Sequence, residues 1–140
     1  MKRHIPFFVL GLIIFLSSCG NSLKEENELM RLKIMEVHDE VMPLMGKLKT
    51  LERQANLEIK SLQETEEADS ARIQELKSLA YDLDATYEGM FDWMHQYDIE
   101  DGERTPEELK VYLDEQLIKA TAVNDEFKEV LGKADEILKD

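Results

Sequence analysis

The segment Gln63-Glu64-Thr65-Glu66-Glu67-Ala68-Asp69-Ser70-Ala71-Arg72 carries no large apolar side chain, although the sequence on both sides of it does so at regular intervals. A chain reversal here makes a helical hairpin, whereas continuity makes one helix from Lys24 to Gln96. Asp69 and Ser70 each offer a side-chain oxygen to cap the first turn of a new helix, yet the segment has no Gly or Pro to forbid helix. Burial separates the two readings. Upstream, Ile34, Val37, Val41, Leu44, Leu48, Leu51 and Ala55 recur at steps of three and four; downstream, Ile73, Leu76, Ala80, Leu83, Tyr87, Met90, Met94 and Tyr97 do the same. Each set lines one face of a helix. A single long helix leaves that stripe in water unless a partner chain covers it, so a turn between about residues 63 and 70 is expected.

A third stripe follows: Leu109, Leu113, Gln116, Ala120, Val123, Phe127, Val130, Ala134 and Ile137, flanked by Leu117, Leu131 and Leu138. Its start is well marked. Thr105 supplies a capping hydroxyl, Pro106 occupies the first helical position, and Glu108 lies three residues after the cap. Beyond Ser22 the chain is rich in Leu, Glu, Lys, Ala and Met and has no β-branched run, which is helical composition. The fold class expected is all-α: an up-down-up three-helix bundle, or antiparallel coiled-coil hairpin, with helices at about 24–63, 70–96 and 106–139. The first of these is the longest, and part of it is expected to project as a stalk.

The amino-terminal residues read differently. Lys2, Arg3 and His4 precede Ile5 to Leu16, apolar apart from Pro6 and Gly11. That is a charged region followed by a short apolar one, the pattern of an export signal. The apolar run is too short to span a bilayer, which takes about 20 residues. Leu16-Ser17-Ser18-Cys19 then resembles the lipobox of bacterial lipoproteins, in which small residues precede the cysteine that is modified. That resemblance implies cleavage after Ser18, diacylglycerol on the Cys19 thiol and a further acyl chain on its new amino group, together a stable anchor. The expected organisation is a signal peptide at 1–18, a lipidated Cys19 and short tether at 19–23, and a helical domain at 24–140. Gly20 stands where an aspartate would hold many such proteins at the inner membrane, so the outer membrane is the expected location.

Composition narrows the function classes. Cys19 is the only cysteine, so no disulfide can form within the chain and the apolar core must hold the fold. The formal net charge is −14; without Lys2 and Arg3 the mature chain has 15 basic and 31 acidic residues, or −16. Nucleic acid and anionic lipid repel such a chain. Membrane attachment is therefore expected through the lipid alone. Catalysis finds no support either: the mature chain has His38 and His95 as its histidines, no glycine-rich phosphate loop and no His-Glu-x-x-His pattern. The loop Asp98-Ile99-Glu100-Asp101-Gly102-Glu103 fails as a calcium loop, because Tyr97 and Ile99 fall where the first ligands belong.

One cluster invites a cofactor reading. Met35, His38, Met42 and Met45 make a second stripe on the first helix, and Pro43 should kink that helix just past His38 because it offers no N–H to the carbonyl of Asp39. A reversal near Glu66 sets His38 opposite His95, with Met42 and Met45 near the level of Met90 and Met94. Imidazole and thioether together suit Cu(I) or a haem iron. The simpler reading is that methionine fills irregular gaps beside the kink, and no cofactor is the expectation, with copper or haem on His38, Met42, Met45, Met90, Met94 and His95 as the alternative. A carboxylate-bridged di-iron site is disfavoured further, because it wants Glu three residues before His and those positions are Met35 and Asp92. Trp93, about 100° from the Met90 and Met94 stripe, is expected to pack under the third helix.

The motifs His38-Asp39-Glu40-Val41-Met42-Pro43-Leu44-Met45 and Met90-Phe91-Asp92-Trp93-Met94 resemble a group of small bacterial lipoproteins labelled "viral A-type inclusion protein", a label that reflects coiled-coil similarity. The resemblance implies a helical lipoprotein and no catalytic residue. The function expected is a lipid-anchored, non-enzymatic bundle of the cell envelope, structural or engaged with an envelope protein or a second copy of itself.

Overall fold

The computed structural model describes residues 18–65 and 69–139, with side chains from Ser22 onward. The export signal expected at 1–18, apart from the backbone of Ser18, and the Cys19 side chain lie outside the described residues. Four α-helices follow in order: α1 Ser18–Val41, α2 Met45–Gln63, α3 Ser70–Gln96 and α4 Pro106–Ile137, with a 3-10 turn Met42–Leu44 between α1 and α2. Among the described residues there is no strand.

The helix expected over 24–63 is thus two helices on one bent rod. Pro43 cannot donate to the Asp39 carbonyl, and the chain tightens locally, with the Met45 N–H turning back to the Met42 carbonyl. A 3-10 turn winds about 20° further per residue than an α-helix. Met45 consequently enters the core, while Leu44, expected there, is 36% exposed. α1 also runs through 19–23, where the short tether is expected. Asn21-Ser22-Leu23-Lys24 holds no helix breaker, and the single Gly20 costs only about 1 kcal/mol.

The reversal lies where burial requires it. Asp69 caps α3, its Oδ1 accepting from the N–H groups of Ala71 and Arg72 at 3.0 Å each. Across the hairpin Arg72 meets Glu58 and Lys49 meets Asp84, so α2 and α3 run antiparallel. Thr105 and Glu108 form the reciprocal capping box that the sequence signals at the start of α4. That helix returns antiparallel to α3, with Trp93 bonded to Gln116 and Lys133 to Asp82. It lies parallel to α1, bringing Asn27 to Pro106 and Glu40 to Lys128. The result is an up-down-up bundle. Because α4 begins beside Asn27, the part of the first rod that extends past it is the first turns of α1.

The core runs the length of the rod. Ile34, Val41, Leu48 and Ala55, spaced by sevens, are all fully buried. The middle helix needs two apolar faces, and α3 has them: Leu76, Leu83 and Met90 on the expected stripe, Leu79, Thr86 and Trp93 beside it. Phe127, Leu113 and Ala134 close the core from α4. Surface ion pairs such as Lys47 with Asp135 add little, about 0–1 kcal/mol each.

Two outcomes follow. Phe127→Ala should lower unfolding stability by about 3–5 kcal/mol in chemical denaturation, since Phe127 is wholly buried. Acid should weaken the fold through Glu40 and Glu108. Hydrogen bonds from Lys128 and Asn124 hold the Glu40 carboxyl below its ordinary 4.5, and the Thr105 backbone N–H does so for Glu108. Carboxylates so depressed stabilise the fold above their unfolded pKa and cease to do so as pH falls through the folded value. The wild type should therefore lose more thermal stability between pH 5 and pH 3 than the Glu40→Gln, Glu108→Gln double variant.

Candidate functional site

The histidine and methionine residues are distributed over the kink region. His38 is half-buried, its ring tilted against Trp93 at 5.7 Å between centroids and its Nδ1 2.8 Å from Asp39 Oδ1. The expected partner, His95, is exposed beside Phe91 at 6.4 Å. Trp93, not His95, meets the His38 ring, although the stripe to which Trp93 belongs is turned mainly toward α4 through Thr86 and Trp93 itself. Met45 and Met90 are buried in the core, and Met42 and Met94 are half-buried against it. Among the described residues no group of three or more His, Cys, Asp or Glu side chains has the geometry to hold a metal ion.

On the α1 side of the kink the structure places polar groups inside the bundle. Trp93 packs under α4 as expected, and its Nε1 donates to Gln116 Oε1 at 3.1 Å in a buried pair. Asn124, 3% exposed, donates from Nδ2 to the Val37 carbonyl at 2.8 Å and to Glu40 at 3.0 Å. It thereby splints the last turn of α1 just before the proline.

The other concentration of polar groups lies at the base, where α1 and α4 begin. The loop joining α3 to α4 is fixed there by two arginines. Arg31 donates to the Tyr97 hydroxyl at 3.1 Å and to the Asp98 carbonyl at 3.3 Å, and it pairs with the Asp101 carboxylate. Arg104 pairs with Asp98 at 2.6 Å and lies 4.2 Å over the Tyr112 ring. Tyr112 in turn accepts from the Asp98 N–H at 2.6 Å, and Trp93, Tyr97 and Tyr112 stack in series at 5.2 and 6.3 Å. Burial pushes the Tyr97 hydroxyl upward in pKa, with the Arg31 charge opposing it. Gly102, at φ +63°, takes the left-handed turn that a side chain would strain. Both aspartates of 98–103 are claimed by cations, Asp98 by Arg104 and Asp101 by Arg31.

This frame encloses a cleft of about 430 Å³, walled by Lys24, Asn27, Glu28 and Arg31 of α1 and by Asp101 and Arg104 opposite. Asn27 is 4% exposed. Its Nδ2 donates to the Pro106 carbonyl at 2.8 Å, while its Oδ1 has no partner among the described residues. The sequence holds a signal for Asn27 and for Asn124: each is a polar residue at a core position of its helix, Asn27 one heptad before Ile34 and Asn124 between Ala120 and Phe127. Arg31 and Arg104 carry no such signal, since exposed-face arginines are indistinguishable in sequence until the loop is folded onto them.

Compared with protein-family models, curated proteins and solved structures, the chain shows no significant match.

Gln116→Leu should leave the Trp93 N–H buried without an acceptor and lower unfolding stability by about 1–3 kcal/mol, read by denaturant titration of Trp93 fluorescence.

Proposed function

We propose that this chain is a lipid-anchored, non-enzymatic helical-bundle lipoprotein of the bacterial cell envelope, held by acylated Cys19 and serving as a structural or protein-interaction module. The observation that carries the reading is Leu16-Ser17-Ser18-Cys19 directly after a charged and then apolar amino terminus. Charge, apolar length, small residues and cysteine meet there in the order that export and acylation need. The bundle fits the reading: its three stripes are covered within one chain, and no helix among the described residues is long and apolar enough to cross a membrane. Attachment then falls to the lipid, because a strongly acidic surface gives no electrostatic adhesion to anionic headgroups.

An interaction role draws on side chains that the core does not use. Leu29 and Leu32 on α1 and Val111 and Ile118 on α4 are 59–70% exposed. Large apolar groups on adjacent helices supply contact area for a partner protein. The resemblance of the His38–Met45 and Met90–Met94 motifs to small helical lipoproteins points the same way, without implying chemistry.

Expression of the full chain in a bacterium tests the proposal. The product should be found with membranes, with an intact mass that begins at Cys19 and includes acyl chains, and Cys19→Ser should release it to the soluble fraction. A soluble product with a free Cys19 thiol overturns the reading. In a Gram-negative host, Gly20→Asp should shift the protein from the outer to the inner membrane fraction.

A further inference from the structure

The cleft at the base carries charge of both signs. Lys24, Arg31 and Arg104 supply cations, and Glu28 and Asp101 supply carboxylates. A guanidinium has five N–H donors, so Arg31 and Arg104 keep donors free after bonding the loop. Among the described residues the ion pairs around the cleft are Arg31 with Asp101, Arg104 with Asp98 and Lys110 with Glu26 and Asp114, and neither Lys24 nor Glu28 joins one. Asn27 adds an independent sign of a ligand: a buried amide whose N–H is spent on Pro106 and whose Oδ1 lacks a donor. A buried acceptor left unpaired is costly, and a molecule bringing an N–H to it recovers that cost. The matching ligand is small, anionic at one end and an N–H cation at the other.

Position narrows the source. Lys24 is five residues after Cys19 on the same unbroken helix, about 7.5 Å at 1.5 Å per residue. The headgroup layer on each side of a bilayer is roughly 5–8 Å deep. An acyl chain on Cys19 therefore brings the Lys24 end of the cleft to the headgroups, with the Arg31 end standing farther out, about 18 Å along the helix from Cys19.

We propose that this cleft binds the headgroup of a zwitterionic phospholipid bearing a primary ammonium, phosphoethanolamine, with phosphate on Lys24, Arg31 and Arg104 and ammonium toward Glu28 and the Asn27 amide oxygen. This inference rests on the acylation of Cys19 for its location and on the cleft for its chemistry. The acidic surplus of the chain disfavours anionic lipid. A choline headgroup has no N–H and cannot satisfy Asn27.

The test is native mass spectrometry of the full-length, membrane-extracted protein, exchanged into vesicles of equal phosphatidylethanolamine and phosphatidylcholine and then released in mild detergent. Phosphatidylethanolamine adducts should exceed phosphatidylcholine adducts at least fivefold. Glu28→Gln and Asn27→Leu should each erase that preference, because both face the ammonium, whereas Lys24→Ala should lower the adducts of both lipids alike, with circular dichroism reporting that the helices persist. Equal adducts of the two lipids in the wild type, or a preference unchanged in Glu28→Gln, overturns the proposal. Water-soluble glycerophosphoethanolamine forms the other arm: if it binds as tightly as the lipid, the ligand is a free zwitterion and the bilayer assignment falls. The covalent mass of the same ions reports acylation separately, so an unmodified Cys19 sinks the anchor while lipid selectivity from the added vesicles still judges the cleft.

Discussion

Three apolar stripes that no one helix can shelter alone are the constraint from which the remainder of this bundle follows. No disulfide within the chain shares the load, since Cys19 is its only cysteine. The positions Ile34, Val41, Leu48 and Ala55 repeat by sevens and are wholly buried, which is the knobs-into-holes seam of left-handed helix packing. A seam this long fixes helix direction as well as packing. Once α2 turns back at Asp69 and α3 turns back at Thr105, α4 must lie parallel to the first rod to cover what α3 leaves open. That is why α3, between two neighbours, buries a second stripe through Leu79, Thr86 and Trp93.

Apolar seams with a regular repeat tolerate sliding by a heptad, and a few buried polar pairs remove that freedom. Asn124 reaches the Val37 carbonyl, Gln116 accepts from Trp93, and Asn27 donates to Pro106. Any slip leaves these groups in the core without partners, at a cost of about 1–3 kcal/mol each. The three contacts sit at different levels of the α4 groove and so define one register for the whole helix. Asn124 also meets the rod just before Pro43, where its own hydrogen-bond ladder is interrupted. The weak point of α1 and α2 is supported from outside.

Much of this was legible in the sequence. The turn before Asp69, the cap at Thr105, the three stripes and the break at Pro43 all rest on local rules, and local rules need only neighbours a few residues away. The misplacements have a common origin in geometry that accumulates along the chain. Leu44 was assigned to the core on α-helical spacing, and the overwound turn rotated Met45 into its place. His95 was set opposite His38 by counting residues from the turn, and the azimuth of α3 brought Trp93 there instead. The base cleft was invisible for a stronger reason: Arg31, Asp98, Asp101 and Arg104 come together only after a 66-residue excursion from Arg31 to Tyr97 closes the loop onto α1.

The parallel placement of α1 and α4 puts two helix N-termini, and the partial positive charge each carries, at one end of an otherwise acidic molecule. Glu107 and Glu108 occupy the first turn of α4, and Glu28 lies one turn beyond Lys24 on α1. The opposite end is only the Gln63–Asp69 reversal. From Cys19 to Gln63 the rod measures about 65 Å at 1.5 Å per residue, and its single interruption is the 3-10 turn that Asn124 braces. A chain anchored at Cys19 is then a stiff post with its arginine-clasped loop at the foot and its acidic flanks standing in solvent. Under the proposed acylation of Cys19, such a post would set a distance between a membrane and whatever meets its sides or tip, a task that draws on stiffness.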